Sequence, residues 1–202
     1  MQTGYALRQI APPRVRAAVQ ETSDEALVEL IADGDKRAMQ VLYGRHNVRV
    51  FRFIVRLTGN TTLAEDLVSE VFLDVWRQAD SFEAKCQVST WVLAIARYKA
   101  LSALRRRSDE QLDDVMAETI EDTADDPETV VYNKDRSTLV QKCLAQLTPA
   151  HREVIDLVYY HEKSVDEVAQ IVGVPAATVK TRMFYARNKM ADLLKQSGVT
   201  AL

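Results

Sequence analysis

Apolar side chains along this chain recur every three or four residues and show no sustained two-residue alternation, which predicts helices and no sheet. Ser23 stands before DEALVELIADG as an N-cap, and Gly34 is placed to close that helix. A second run extends from about Lys36 to Leu57 and is broken by Thr58-Gly59-Asn60. In TTLAEDLVSEVFLDVWRQ, Ala64, Leu67, Val68, Val71 and Val75 form an apolar stripe beside Phe72 and Trp76. Glu65, Asp66, Ser69, Glu70 and Asp74 fall on the opposite face, so this helix has an acidic outside. The loop ADSFEAKCQV leads into STWVLAIARYKALSALRRR, apolar in its first half and increasingly basic toward Arg105, Arg106 and Arg107.

The second half of the chain carries clearer punctuation. Thr148 caps and Pro149 opens a helix whose core stripe is Val154, Ile155, Leu157 and Val158. Ser164 and Glu167 form a capping box for VDEVAQIV, and Gly173 can take the left-handed conformation that stops it. Pro175 then begins another helix, giving a helix-turn-helix. In that last helix Val179, Met183, Ala186, Met190 and Leu193 face inward, and Thr181, Phe184, Tyr185 and Asn188 face outward between Lys180, Arg182 and Arg187.

Charge separates these two blocks. The net charge of -3 conceals a segment, residues 108–135, with 1 basic and 11 acidic side chains and few apolar ones. Such a segment cannot bury enough surface to fold alone and is expected to act as a linker. Its 28 residues span roughly 95 Å when extended and roughly 30 Å as a relaxed coil. The expected architecture is therefore all-α: a tail over 1–22, a helical domain over 23–107, an acidic flexible linker over 108–137 and a second small helical domain over 138–202.

Several function classes are set aside by what the sequence contains. Arg97 and Lys99 close the most apolar stretch, Trp91 to Ala96, far short of the roughly 20 apolar residues of a membrane span. The first 20 residues carry Arg8, Arg14, Arg16 and Pro12-Pro13 without the apolar core of a secretory signal, so the chain is expected in the cytoplasm. Cys86 and Cys143 are not in C-x-x-C spacing and the three histidines have no metal-ligand spacing, which points to structural thiols and to no metal or other cofactor. No Gly-rich phosphate loop, paired-carboxylate cleft or nucleophile-base set is present, so an enzyme is not expected. Glu65-Asp66 and His161-Glu162 read as adjacent surface groups on helices.

Two stretches have chemistry suited to nucleic acid. A helix carrying Arg97, Lys99 and Arg105 to Arg107 with Trp91 and Tyr98 among them matches a surface that stacks and neutralises a single strand, although a basic C-terminus is also what the helix dipole favours in water. The outward face of the last helix fits a major groove, with cations on phosphates and a hydroxyl, aromatics and an amide toward base edges. A helical hairpin packed in a core would use the same Gly-Val-Pro corner.

AEDLVSEVFLDVW (64–76), STWVLAIARYKALSALRRR (89–107) and SVDEVAQIVGVPAATVKTRMFYAR (164–187) occur in that order, the last two on either side of the acidic linker. Together they resemble the extracytoplasmic-function class of bacterial sigma factors, over about residues 24–107 and 138–196. The resemblance implies that Asp66, Ser69 and Glu70 dock on the beta-prime coiled coil of core RNA polymerase, the beta subunit being a further contact. It implies that the loop from Ser81 to Val88, with Phe82 and Lys85, and the helix bearing Trp91, Arg97, Tyr98, Lys99, Arg105, Arg106 and Arg107 read the minus-ten promoter element. It assigns the minus-thirty-five element to Thr178, Lys180, Thr181, Arg182, Phe184, Tyr185, Arg187 and Asn188, with promoter DNA as ligand and an anti-sigma factor as repressing partner. Where the family often carries glutamine, asparagine, aspartate and arginine, this chain has Ser69, Tyr98, Ser102 and Tyr185. The rival is a one-component helix-turn-helix repressor, which would bind duplex DNA without polymerase and has no evident use for the acidic and basic-aromatic helices.

Overall fold

The computed structural model describes residues 22–110 and 139–197, and every regular element among them is helical. The first half contains α1 (Asp24–Ala32), α2 (Lys36–Thr58), α3 (Thr61–Gln78), a short 3-10 turn (Ala79–Ser81) and α4 (Val88–Glu110). The second contains α5 (described over 139–145), α6 (Pro149–Tyr159), α7 (Val165–Val172) and α8 (Ala176–Gln196).

Most helix ends form where the sequence signals them. The Ser23 side chain accepts from the Ala26 N–H, Asp35 accepts from Arg37 and Ala38, Asn60 accepts from Leu63, and Thr148 accepts from His151. Each cap satisfies an N–H that the helix leaves without a partner. Gly59, at φ 67°, ends α2, and Gly173, at φ 72°, ends α7; both lie in the left-handed region that glycine enters without steric cost. Two boundaries differ from expectation. Pro175 is the N-cap of α8 and not its first turn, and α4 continues to Glu110, three residues into the segment read as linker. The remainder of that linker and the N-terminal tail fall outside the described residues.

Leu27, Val28 and Ile31 of α1, Leu42, Val50, Phe53 and Ile54 of α2, Leu67, Val71 and Val75 of α3, and Val92, Ala96 and Ala100 of α4 interlock as one buried cluster. At about 1.5–3 kcal/mol for each large apolar side chain fully buried, this cluster is the main source of stability in the first half. Asp24 ties α1 to α2 through Arg45 at 2.6 Å and His46 at 2.6 Å. The hydrogen bond from His46 leads the effects that hold its carboxyl below the usual value, against the opposing effect of burial.

The second half packs Val154 and Leu157 of α6, Val168 and Ile171 of α7, and Val179, Met183 and Ala186 of α8. These residues belong to the same buried cluster as the first half, and α4 lies directly on α7. The two halves are thus in contact, an arrangement that the charge pattern alone did not disclose.

Candidate nucleic-acid and polymerase interfaces

The acidic face of α3 forms because its apolar stripe is fixed against α2 and α4. Ala64, Leu67, Val68, Val71, Phe72 and Val75 are buried, which turns Glu65, Asp66 and Ser69 fully outward. Glu70 is half-exposed and accepts from the Lys99 ammonium at 3.2 Å, while Asp74 holds the same ammonium at 2.9 Å. The Asp74 hydrogen bond is the chief reason that the Lys99 ammonium titrates above its ordinary value, burial opposing it. One predicted DNA-binding residue is therefore neutralised by a predicted polymerase-binding residue on the neighbouring helix.

The loop after the 3-10 turn and the start of α4 form the next surface. The Phe82 and Trp91 rings lie 4.8 Å apart at an interplanar angle of 34°, and both are half-buried against the core. Ala84 has φ 52°, a left-handed conformation unusual for a residue with a Cβ, in the loop that the resemblance assigns to the minus-ten element. Lys85 is exposed and pairs with Glu83. Burial raises the Cys86 thiol above its usual value, which is the opposite of a reactive thiolate, and Cys143 is buried.

Along α4, Tyr98 is 71% exposed and Arg105, Arg106 and Arg107 are exposed, so these four are open to a ligand. Arg97 is not. Its guanidinium donates through Nε to Glu153 Oε1 at 2.6 Å and through Nη2 to Glu153 Oε2 at 3.3 Å, a two-point contact with α6. The open cationic surface of α4 is consequently its C-terminal end with Tyr98, while Arg97 and Lys99 are turned onto carboxylates.

On α8, Val179, Met183 and Ala186 are buried, which places Lys180, Thr181, Phe184, Tyr185, Arg187 and Asn188 in solvent, with Thr178 and Arg182 half-buried. The Thr181 hydroxyl donates to Ala177 O at 3.0 Å, leaving its lone pairs to accept from a base amino group. Arg187 Nε donates to the Tyr159 hydroxyl at 3.0 Å, so its head is held in place before any ligand arrives. Phe184 and Tyr185 contact each other edge to face at 5.5 Å. Val158, Val165, Met183 and Phe184 line a groove of about 260 Å³, with Lys180, Arg187 and Asn188 at its polar margin.

Sequence patterning missed a polar layer between the halves. Arg56 of α2 reaches Asp156 of α6 at 2.6 Å, and its guanidinium lies 4.2 Å from the centre of the Tyr160 ring. Lys163, only 7% exposed, donates to Gln87, Ser89 and Glu167 at 3.1, 2.6 and 2.9 Å. Thr90 donates to Glu167 at 2.6 Å. His161, read as a surface group on a helix, instead lies beyond the end of α6 and is buried, its ring 5.4 Å from that of Phe53. The available signal was α6 itself, where Glu153, Val154, Ile155, Asp156 and Leu157 are buried in succession and two carboxylates border the apolar stripe.

Glu167 joins this layer to the capping box on Ser164. Burial alone would raise its carboxyl, but hydrogen bonds from Thr90, Lys163 and Ser164 outweigh it and set the value at about 2. Because the folded value is depressed from about 4.5, the stabilisation is complete above that pH and is lost as pH falls toward 2. Glu167→Gln, which preserves the cap geometry, is expected to flatten the stability profile between pH 4.5 and 2. Urea unfolding at a series of pH values checks this, and an unchanged slope in the variant would contradict the pairing.

Among the described residues no group of three or more His, Cys, Asp or Glu side chains is placed to hold a metal ion, and no helix is long and apolar enough to cross a membrane.

Comparison with known proteins identifies both halves. Residues 42–110 match Sigma-70 region 2 and residues 143–192 match Sigma-70 region 4. The ECF RNA polymerase sigma factor SigL of Mycobacterium tuberculosis is 31% identical over 179 residues, covering 87% of this chain and 99% of that protein. SigW of Bacillus subtilis is 28% identical, covering 83% of this chain and 95% of SigW. Among solved structures, CnrH in complex with the cytosolic domain of CnrY shares the fold, with a TM-score of 0.64 at 23% identity over 87% of this chain and 99% of that one. The sigma factor RpoE of Bartonella quintana, solved with the anti-sigma factor NepR, gives a TM-score of 0.59 at 26% identity over 76% of this chain and 94% of that chain. With both sigma regions in order, and with a relative matched almost end to end, the chain belongs to the ECF RNA polymerase sigma factors.

Proposed function

We propose that this chain binds core RNA polymerase in the cytoplasm and directs it to promoters whose two elements are read by the two halves. The observation that carries the proposal is the pairing, in one chain, of a region 2 with an outward acidic α3 and a region 4 whose α8 presents cations and aromatics to solvent. Asp66, Ser69 and Glu70 supply the polymerase contact. Their charge steers docking, although an exposed pair contributes only about 0–1 kcal/mol.

Phe82, Lys85, Trp91, Tyr98 and Arg105 to Arg107, with Arg97 and Lys99 once released from their carboxylates, take the minus-ten element. Stacking a flipped base on an aromatic yields about 1–3 kcal/mol, enough to drive local opening without ATP. Tyr98 is best placed for that stacking by its exposure, whereas Trp91 and Phe82 support the loop from below. The acidic linker, counted from the end of α4 at Glu110, gives the reach between elements. About 17 base pairs at about 3.4 Å each is roughly 60 Å, within its extended span. An anti-sigma factor is the expected repressing partner, as with RpoE and NepR.

On α8, Lys180, Arg182 and Arg187 hold the backbone while Thr181, Phe184, Tyr185 and Asn188 face bases, with Thr178 beside them. Tyrosine cannot make the two-point contact with guanine that arginine makes. Tyr185→Arg is expected to add about 10- to 100-fold preference for guanine at one position of the minus-thirty-five element. In vitro selection of bound sequences checks this, and an unchanged consensus would remove Tyr185 from the reading face.

The direct test is co-purification of the full chain with core RNA polymerase. A stoichiometric complex is expected. A folded chain that fails to recover core but still retains duplex DNA would favour the one-component regulator.

A further inference from the structure

Tyr159 is the last residue of α6 and lies outside the helix-turn-helix, yet it is 56% exposed and touches the reading helix. Its neighbour Tyr160 takes a different partner, with its ring 4.2 Å from the Arg56 guanidinium of α2. Tyr159 Oη accepts from Arg187 Nε at 3.0 Å, and the guanidinium carbon lies 5.8 Å from the centre of the Tyr159 ring. A hydroxyl that accepts in this way keeps its own proton to give. Among the described residues nothing accepts that proton, no carboxylate pairs with Arg187, and the two Nη groups of Arg187 are open.

Helix geometry sets which way this pair faces. With Val179, Met183 and Ala186 buried, Thr181, Tyr185 and Asn188 face away from the core. Lys180 and Arg187, two turns apart, fall on the flank of α8 beside Val158 of α6. A helix seated in a major groove turns its centre to the bases and its flanks to the sugar-phosphate walls. The Tyr159 hydroxyl stands on the flank where one of those walls passes.

We infer that Tyr159 Oη and the Arg187 Nη groups together form a site for a single backbone phosphate at the edge of the minus-thirty-five element, Tyr159 being a phosphate ligand supplied from outside the helix-turn-helix. The inference rests on the reading of α8 as the duplex-binding helix. A phosphodiester presents two charged oxygens that only accept; Arg187 meets them with charge and N–H groups and Tyr159 with its O–H, and bonds to a charged acceptor are the stronger kind. By holding Nε, Tyr159 also fixes the plane of the guanidinium, so Arg187 has less freedom to lose on binding. Phosphate contacts position a helix without reading sequence, so Tyr159 acts on affinity and not on the consensus.

The test uses the full chain assembled with core RNA polymerase, or the full chain alone if it does not recover core, and a duplex obtained by in vitro selection with that same species. Tyr159→Phe keeps the ring and removes only the hydroxyl. It is expected to bind the selected duplex about fivefold or more weakly, with the consensus, the salt dependence and the melting temperature unchanged, because no cation and no base contact is lost. Arg187→Gln is expected to weaken binding about tenfold or more and to lower the salt slope by about one. A set of selected duplexes, each with one phosphate neutralised as a methylphosphonate, then locates the site. At one position wild type is expected to lose about fivefold more affinity than Tyr159→Phe does, since only wild type has the hydroxyl contact to lose; a purely structural role for the ring would leave the two profiles alike. Binding by Tyr159→Phe within about twofold of wild type, identical methylphosphonate profiles, or a changed consensus would overturn the inference. Thr181→Ala/Asn188→Ala separates the two levels. If it changes the selected consensus while Tyr159→Phe changes nothing, the phosphate site alone fails; if neither changes anything, the reading of α8 fails with it.

Discussion

The double substitution Asp66→Arg/Glu70→Arg is expected to weaken the complex with core RNA polymerase about 100-fold, because two attractive contacts become repulsive at about tenfold each. The fold should survive. Both side chains lie on the outward face of α3, whose buried stripe from Ala64 to Val75 is untouched, and Lys99 keeps its 2.9 Å contact with Asp74 when Glu70 is replaced. Circular dichroism melting of the variant should fall close to that of the wild type, and competition binding to core measures the affinity. A variant that binds core as tightly as wild type would move the docking surface off this helix. Loss of binding with a large fall in melting temperature would instead trace to the fold.

Phe53→Ala is expected to cost about 3–5 kcal/mol in stability. Phe53 is fully buried in the C-terminal third of α2, and its ring meets the buried His161 ring edge to face, so removing it opens a cavity that touches both halves. Against a typical total of about 5–15 kcal/mol, that is a large fraction, and the melting temperature should fall by about 10 °C. Urea unfolding with two probes measures it. A loss under about 1 kcal/mol would mean that the site collapses around the missing ring or that the two halves do not share this core.

The elements were legible because their ends are chemically marked. Ser23, Thr148 and the Ser164–Glu167 box name helix starts, and Gly173 names a stop, each by a local hydrogen bond or backbone preference that needs no tertiary information. The outward face of α8 was legible for the same reason, since Val179, Met183 and Ala186 fix which side is buried. The family resemblance rested on three stretches in sequence order, 64–76, 89–107 and 164–187, and comparison with known proteins bears it out.

The contact between the halves was not legible. Arg97 finds Glu153 across 56 positions, Thr90 finds Glu167 across 77, and Arg56 finds Asp156 across 100. Helical periodicity describes only which face of its own helix a residue occupies. A charged residue beside an apolar stripe looks the same whether it faces water or a partner of opposite sign. Reading His161 as a surface group failed on the same ground, since its burial depends on Phe53, more than a hundred positions away. Likewise Lys99 reads as part of a basic strip, yet Glu70 and Asp74 on the adjacent α3 claim it.

The most direct measurement of the central claim is reconstituted transcription: core RNA polymerase with and without this chain, on sheared genomic DNA from the source organism, with transcript starts mapped. The account predicts new starts that appear only with the chain, that share two upstream elements, and that disappear with Asp66→Arg/Glu70→Arg. Duplex DNA bound by the chain with no new starts from core would contradict it.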